Sequence, residues 1–180
     1  MVGLAPGVKL MTLRIFDENG RTTSSCGLRA LIYAVENGAR VTNQSWGGPA
    51  RTWGEGMRKR YKRVYAAAWR AGVLNVVSAG NDGSTRRSQM PAALETVISV
   101  AAVKANGERA KFSNYDAHIA APGVEIYSAD ADGNASYRRA SGTSSRSSSK
   151  SARKSKRTKS AGSGTERFTP IDLVEGNAIK

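Results

Sequence analysis

The chain has 180 residues, 39% of them hydrophobic, and its 28 Lys and Arg against 14 Asp and Glu give a formal net charge of +14. That length suits one domain rather than two, and no apolar run approaches the ~20 residues that cross a bilayer, so no membrane span is predicted. A single cysteine and a single histidine exclude an internal disulfide and any cluster of Cys or His ligands for a metal, and no signal-peptide pattern follows Met1.

The first 45 residues alternate strand-like and helix-like patterns. Residues 8–15 predict a strand, and Asn19-Gly20 predicts a turn after it, because this pair tolerates positive φ. An amphipathic helix should follow and end at Asn37-Gly38. Its apolar stripe at i, i+3, i+4 and i+7 consists of Leu28, Leu31, Ile32 and Val35. Residues 41–45 then predict a short strand.

The next segments complete an α/β pattern. A second helix is predicted over 55–70, with Met57, Tyr61, Val64, Tyr65 and Ala68 on one side and Arg58, Lys59, Arg60, Lys62 and Arg63 mostly on the other. We interpret these basic residues as a solvated helix face rather than a nucleic-acid contact. Residues 73–79 and 97–103 are continuous apolar runs, which are typical of strands buried on both faces. The alternation therefore predicts a parallel sheet with helical crossovers.

Polar and glycine residues follow the predicted strands at 43–48 and 78–83, and two further loop segments of this kind are 121–124 and 141–144. Open α/β sheets place ligand sites at the carboxyl ends of their strands, so these loops are the candidate site. Asn81 in a glycine-flanked turn offers a fixed amide donor, and Ser144 sits close after a glycine, as a nucleophile at a tight turn would.

In this order, the segments 41–48, 76–83, 112–114, 121–124 and 142–144 resemble the subtilisin-like serine peptidases, the subtilase family. The opening residues 4–10 resemble the stretch that follows the family's histidine helix, so the resemblance covers roughly residues 4–144. It implies a partial, three-layer, parallel-sheet subtilisin-like fold over 1–144. This fold would lack the family's leading strand and histidine helix and, after Ser144, its serine helix. The remainder, 145–180, would be a basic tail rich in Ser, Lys and Arg.

The resemblance also implies roles for individual residues. Ser144 would be the nucleophile that attacks a peptide carbonyl, and the Asn81 side chain would donate to the developing oxyanion. An extended polypeptide substrate would pair with Ser45, Trp46 and Gly47, and the pocket beside the scissile bond would be walled by Ser78, Ala79 and Gly80. Trp46 would either shape a neighbouring subsite or be a half-buried packing residue. No cofactor is implied, and although calcium stabilises many subtilases, no carboxylate spacing here indicates a metal site.

The family's base and its orienting carboxylate have no counterpart in this sequence. Neither an H-G-T-H nor a D-T-G segment is present. His118 stands where the family has no catalytic residue, so we expect a surface or satisfied loop histidine. Asp17 follows the Ala5-Pro6 landmark that the family's aspartate precedes, so it is not assigned to the triad. The sequence therefore predicts a fragment of a subtilisin-like endopeptidase, truncated before residue 1, shifted in frame after Ser144 and inactive as written.

The last quarter of the chain is strongly basic. Residues 138–180 hold 11 of the Lys and Arg but 3 of the Asp and Glu, and 145–165 are predicted to be disordered because they offer little apolar area to bury. This tail is either solvated or binds an anionic partner. Two alternatives to the peptidase fragment follow: a non-catalytic protein that binds peptides or an acidic partner, and a basic nucleic-acid-binding protein. Subtilases are commonly exported, so the resemblance implies an extracellular location.

Overall fold

The computed structural model describes residue 5, residues 7–129 and residues 137–144. Within this part of the chain there are two α-helices, α1 (Ser24–Glu36) and α2 (Glu55–Arg70), and two short 3-10 turns, Ala50–Thr52 and Arg86–Ser88. The strands are β1 (Val41–Gln44), β2 (Gly48–Pro49), β3 (Leu74–Ser78), β4 (Gln89–Met90), β5 (Ile98–Val103), β6 (Ile119–Pro122), β7 (Ile126–Ala129) and β8 (Tyr137–Ala140). The predicted α/β alternation is confirmed.

Four strands form one sheet in the order β1-β3-β5-β6. β5 pairs in parallel with β3, with Val76 opposite Ile98, and in parallel with β6, with Val100 opposite Ile119. The apolar runs at β3 and β5 are almost wholly buried, as predicted for parallel strands covered on both faces. Two small antiparallel pairs, β2 with β4 and β7 with β8, complete the described sheets.

The chain divides into two compact units, and the first takes its described residues from Met1–Thr42 and Trp53–Asn75. In it α1 packs against α2, whose Tyr61 and Tyr65 are fully buried and stacked, with ring centroids 5.6 Å apart. The Tyr61 hydroxyl donates to the Ser24 carbonyl oxygen over 2.7 Å. The opposite face of α2 is exposed, as predicted, at Arg58, Lys59, Arg60, Lys62 and Arg63.

The second unit takes its described residues from Asn43–Thr52 and Val76–Lys150. Its core is built mainly from small and β-branched side chains, which suit a sheet buried on both faces. Among its fully or almost fully buried residues are Val76, Val77, Ala79, Ala92, Val100 and Ala102. All the candidate site residues belong to this unit.

Two local predictions are wrong. Residues 9–15 contain no strand, and Leu10 is 87% exposed. A strand exists only where its backbone pairs with a neighbour, and side-chain composition reports only the tendency to do so. In α1 the buried stripe is Leu28, Leu31 and Ala34, while Ile32 is 40% exposed. The buried face is thus centred nearer Leu31, so the small Ala34 lies in the interface and Ile32 does not.

Other predictions about the ends of the chain lie outside the described residues. The tail at 145–165 and any helix after Ser144 belong to this group, and the division at residue 144 stays a prediction. Among the described residues, no helix is both long and apolar enough to cross a membrane.

We predict that Tyr61→Phe lowers the free energy of unfolding by about 1 kcal/mol, because it removes the hydrogen bond from the buried Tyr61 side chain to the half-buried Ser24 carbonyl. Tyr33→Phe is the matched control, since Tyr33 is 51% exposed and should change stability by less than about 0.5 kcal/mol. Urea unfolding followed by circular dichroism measures both. Equal effects of the two substitutions would contradict a stabilising role for the Tyr61 hydroxyl.

Candidate functional site

The loop that carries Ser144 is attached to the carboxyl end of β5 by two backbone hydrogen bonds. The Gly142 N–H donates to the Gly123 carbonyl, and the Gly123 N–H donates to the Val103 carbonyl, each over 2.8 Å. A Cβ on Gly123 would lie 2.6 Å from the Ala102 Cβ, so only glycine permits this approach. The loop therefore stands at the edge of the sheet where sequence reasoning expected a site.

Ser144 and Ser45 bond to each other reciprocally. The Ser144 hydroxyl donates to the Ser45 carbonyl oxygen over 3.2 Å, and the Ser45 hydroxyl donates to the Ser144 carbonyl oxygen over 2.9 Å. Ser45 is exposed and Ser144 is half-buried. The structure thus brings together two predicted site residues that are 99 positions apart in the chain.

Asn81 is joined to the same loop through Thr143. Its Oδ1 accepts from the Thr143 backbone N–H and from the Thr143 hydroxyl, both over 3.0 Å. Because the backbone N–H can only donate, the atom facing it must be the amide oxygen, which fixes the orientation of the amide. The Asn81 Nδ2 therefore points away from Thr143. Within the described part of the chain this exposed amide nitrogen has no hydrogen-bond acceptor.

The two predicted substrate-binding segments depend on glycines in tight surroundings. Ala79 is fully buried and its N–H donates to the Val100 carbonyl over 3.0 Å. Gly80 has φ +106°, and a Cβ there would lie 2.5 Å from the Asn114 Nδ2. A Cβ on Gly47 would lie 2.5 Å from the Met90 carbonyl oxygen. A side chain at either glycine would collide with these neighbours, so the close packing at both positions requires glycine.

Trp46 and Ser78 are both half-buried. The burial of Trp46 is compatible with either of its two interpretations, a subsite wall or a packing residue. Peptide binding by the segments 45–47 and 78–80 stays a prediction.

His118 is bound elsewhere on the sheet. Its Nδ1 lies 3.1 Å from the Ser99 backbone nitrogen, which donates to it, and 2.9 Å from the Ser99 hydroxyl. Ser99 is near the amino end of β5, whereas the Ser144 loop attaches at Val103, four residues along the strand and so about 13 Å away. His118 is thus a loop histidine hydrogen-bonded to Ser99, away from the point where the Ser144 loop attaches.

Partial burial and nearby charges perturb the titration of His118. Desolvation by partial burial lowers the pKa of the imidazole, and the positive charge of Arg86 lowers it further. The carboxylates of Glu95 and Asp116 act in the opposite sense but more weakly than burial. The neutral ring is therefore favoured in the folded chain.

Neither a triad aspartate nor a metal centre is found among the described residues. The Asp17 Oδ1 accepts from the backbone N–H groups of Asn19 and Arg21, so Asp17 closes its own turn. No group of three or more His, Cys, Asp or Glu side chains there has a geometry that would hold a metal ion.

A family model described as the subtilase family matches residues 1–165. The chain belongs to the subtilase family. It is similar to subtilisin DY of Bacillus licheniformis, with 34% identity over 133 residues, which cover 71% of this chain and 46% of subtilisin DY. It is also similar to thermitase of Thermoactinomyces vulgaris, with 32% identity over 130 residues, which cover 71% of this chain and 44% of thermitase. This subtilase thus spans about half the length of these relatives.

Solved structures confirm the partial three-layer subtilisin-like fold. The prenylagaramide maturation protease PagA superimposes with a TM-score of 0.66 at 31% identity, covering 77% of this chain and 50% of that protein. A lanthipeptide protease superimposes with a TM-score of 0.80 at 22% identity, covering 96% of this chain and 62% of that protein, which is evidence for the fold alone. The subtilase family is one of serine proteases, so the hydrolase class of the prediction is confirmed for the family.

Sequence reasoning left two residues of this region without a role. Thr143 bonds the Asn81 amide, and Asn114 bonds the loop around it. Both stand inside segments that carry the family resemblance, Gly142-Thr143-Ser144 and Phe112-Ser113-Asn114. Their place inside these segments was the only feature of the sequence that pointed to them. The bond from Thr143 to Asn81 spans 62 positions and that from Asn114 to Ala79 spans 35, and bonds between residues so far apart leave no local sequence pattern.

We predict that His118 titrates below the ordinary value of about 6.5. A depressed histidine pKa means that the folded chain binds fewer protons than the unfolded chain, so stability falls as pH drops below about 6.5. Because the chain has one histidine, a single imidazole Hε1 signal followed by NMR reports the midpoint. A midpoint at or above 6.5 in the unmodified chain would contradict the assigned environment.

Proposed function

We propose that this chain is the nucleophile-bearing part of a subtilisin-like serine endopeptidase that hydrolyses polypeptides. The observation that carries the proposal is the connection of Asn81 to the Ser144 loop by two hydrogen bonds from Thr143 to one amide oxygen. It ties a side-chain amide to the residue that precedes a serine, and an N–H donor together with a serine hydroxyl is the pair of groups that acyl transfer requires.

In the proposed reaction the Ser144 Oγ attacks the carbonyl carbon of the scissile peptide bond while the serine proton passes to a base. The carbonyl oxygen gains negative charge as the tetrahedral intermediate forms and accepts from the Asn81 Nδ2. That donor stabilises the transition state more than the ground state because the charge develops only during the attack. Holding Oδ1 with Thr143 reduces the reorganisation needed at that moment.

The remaining predicted residues belong to the same proposal as the substrate groove. In the free chain the Ser45 carbonyl accepts from the Ser144 hydroxyl. Attack by Ser144 breaks that bond and releases the carbonyl for a backbone N–H of the substrate. Ser45, Trp46 and Gly47 would then line one side of an extended peptide, and Ser78, Ala79 and Gly80 would line the pocket for one side chain.

We propose that the proton acceptor is not a residue of this chain. Its one histidine is bound to Ser99, and a serine hydroxyl without a base is a weak nucleophile. We therefore propose that the chain by itself does not cleave peptides and that the triad His and Asp belong to a separate part of the protease. The hydrogen bonding of the one histidine to Ser99 also favours a second candidate function, peptide binding without cleavage. Export from the cell is part of the proposal, since subtilases are commonly exported.

Labelling with a fluorophosphonate tests the proposal. We expect no labelling of the chain alone above the level of Ser144→Ala. Co-refolding with the amino-terminal part of a subtilase, carrying D-T-G and H-G-T-H segments, should produce labelling that Ser144→Ala abolishes. Asn81→Ala should slow it by about 10²–10³, a magnitude that comes from the corresponding asparagine of subtilisin, itself a member of this family.

Asn106→Ala is the matched control for Asn81→Ala, because Asn106 is an exposed loop asparagine that bonds only its own turn, and it should leave the rate unchanged. Labelling that persists in Ser144→Ala would assign the nucleophile to another residue. If the co-refolded mixture binds peptides but is never labelled, the non-catalytic function replaces the peptidase.

A further inference from the structure

Asn114 is fully buried, and every hydrogen-bonding site of its side-chain amide is bonded to one loop, residues 79–85. Its Oδ1 accepts from the backbone N–H groups of Asp82 and Ser84, both over 3.0 Å. Its Nδ2 donates to the carbonyl oxygens of Ala79 over 3.0 Å and Thr85 over 3.4 Å. An amide offers two donors and an oxygen with two acceptor sites, so this set saturates it.

The backbone around Asn114 is hydrogen-bonded to the same loop. The Asn114 N–H donates to the Gly80 carbonyl over 3.0 Å, and the Gly83 N–H donates to the Phe112 carbonyl over 2.7 Å. These bonds and those of the side chain reach residues 79, 80, 82, 83, 84 and 85, on both sides of Asn81. Gly80 allows this proximity, since a Cβ there would collide with the Asn114 Nδ2.

The loop thus has two separate attachments. Asn114 holds the backbone on either side of Asn81, whereas Thr143 holds the Asn81 amide oxygen. An exposed side chain such as Asn81 keeps one orientation only when both its backbone and its amide are fixed, because each freely rotating bond otherwise costs conformational entropy on ordering.

We propose that Asn114 is a positioning residue for Asn81: it fixes the loop 79–85 so that the Asn81 Nδ2 is held beside Ser144. This inference rests on the proposed function for the role of Asn81 as an oxyanion donor. Asn114 itself contacts neither substrate nor the reacting atoms and acts only through the loop. Aspartate would not replace it, because a carboxylate has the acceptors but lacks the two donors to Ala79 and Thr85.

The test is NMR of the full 15N-labelled chain, with Asn114→Asp and Asn114→Ala as variants. In Asn114→Ala, which removes the acceptor, we expect the amide protons of Asp82 and Ser84 to lose protection from exchange by at least about tenfold, as the loss of these hydrogen bonds implies. Asn114→Asp keeps an acceptor and removes only the donors to Ala79 and Thr85. The Asn81 side-chain amide signal, assigned by its disappearance in Asn81→Ala, should shift. The backbone signal of Ala101 in β5 should not, which distinguishes a displaced loop from general unfolding.

Asn106→Asp is the matched control, because the Asn106 Oδ1 also accepts from a backbone N–H, that of Glu108, but in an exposed turn. It should change neither the exchange at 82 and 84 nor the Asn81 signal. An unmoved Asn81 signal in a variant that has lost protection at Asp82 and Ser84 would overturn the proposal.

The unmodified chain provides a measurement that does not depend on how the variants fold. Asp82 and Glu108 are both exposed and each N–H bonds to an asparagine Oδ1, over 3.0 Å and 3.1 Å. If Asn114 fixes the loop, the Asp82 N–H exchanges at least about tenfold more slowly than that of Glu108. Equal protection factors would overturn the proposal.

These readouts need no peptide cleavage. If the Asn81 signal shifts as expected and co-refolding still yields no labelling at Ser144, the peptidase proposal fails while the attachment of the loop stands. If labelling occurs and the signal does not shift, the positioning role of Asn114 fails alone.

Discussion

Two hydrogen bonds to one oxygen, the Oδ1 of Asn81, hold the candidate site together. They come from the backbone and side chain of Thr143, the residue immediately before Ser144, so the amide and the serine hydroxyl belong to one connected unit. The other features of the site serve this link. Gly123 lets the Ser144 loop approach β5, and Gly80 lets Asn114 bond the loop on which Asn81 stands. A side chain at Gly123 would collide with Ala102, and a side chain at Gly80 would collide with Asn114.

The sequence allowed the elements near this link to be predicted better than those at the start of the chain. α2, β3 and β5 were predicted within one residue because their apolar patterns are long and their burial is complete. The strand prediction for residues 9–15 was wrong because strand formation depends on a backbone partner, which composition does not encode. In α1 the stripe was misplaced because Ala34 carries a weaker hydrophobic signal than Ile32, although Ala34 is the buried one.

The candidate site was predictable to the extent that it resembles a family. Ser144, Asn81 and Ser45 were selected from that resemblance, and the structure places Ser45 against Ser144 and Asn81 against Thr143. The bonds that hold them were not predictable, because they join residues far apart in the chain. The one histidine of the sequence is hydrogen-bonded to Ser99, near the other end of β5 from the Ser144 loop.

The central claim is that the Asn81 Nδ2 is poised for an oxygen attached to a tetrahedral centre on Ser144. A crystal structure of the full chain co-refolded with the amino-terminal part of a subtilase and bound to a peptidyl boronic acid tests it most directly, since trivalent boron accepts a lone pair of the serine oxygen and becomes tetrahedral while the serine proton passes to the base. We predict a bond between boron and the Ser144 Oγ and one boronate oxygen within about 2.7–3.2 Å of the Asn81 Nδ2. A boronate bonded elsewhere, or bonded to Ser144 with its oxygens turned away from Asn81, would contradict the account.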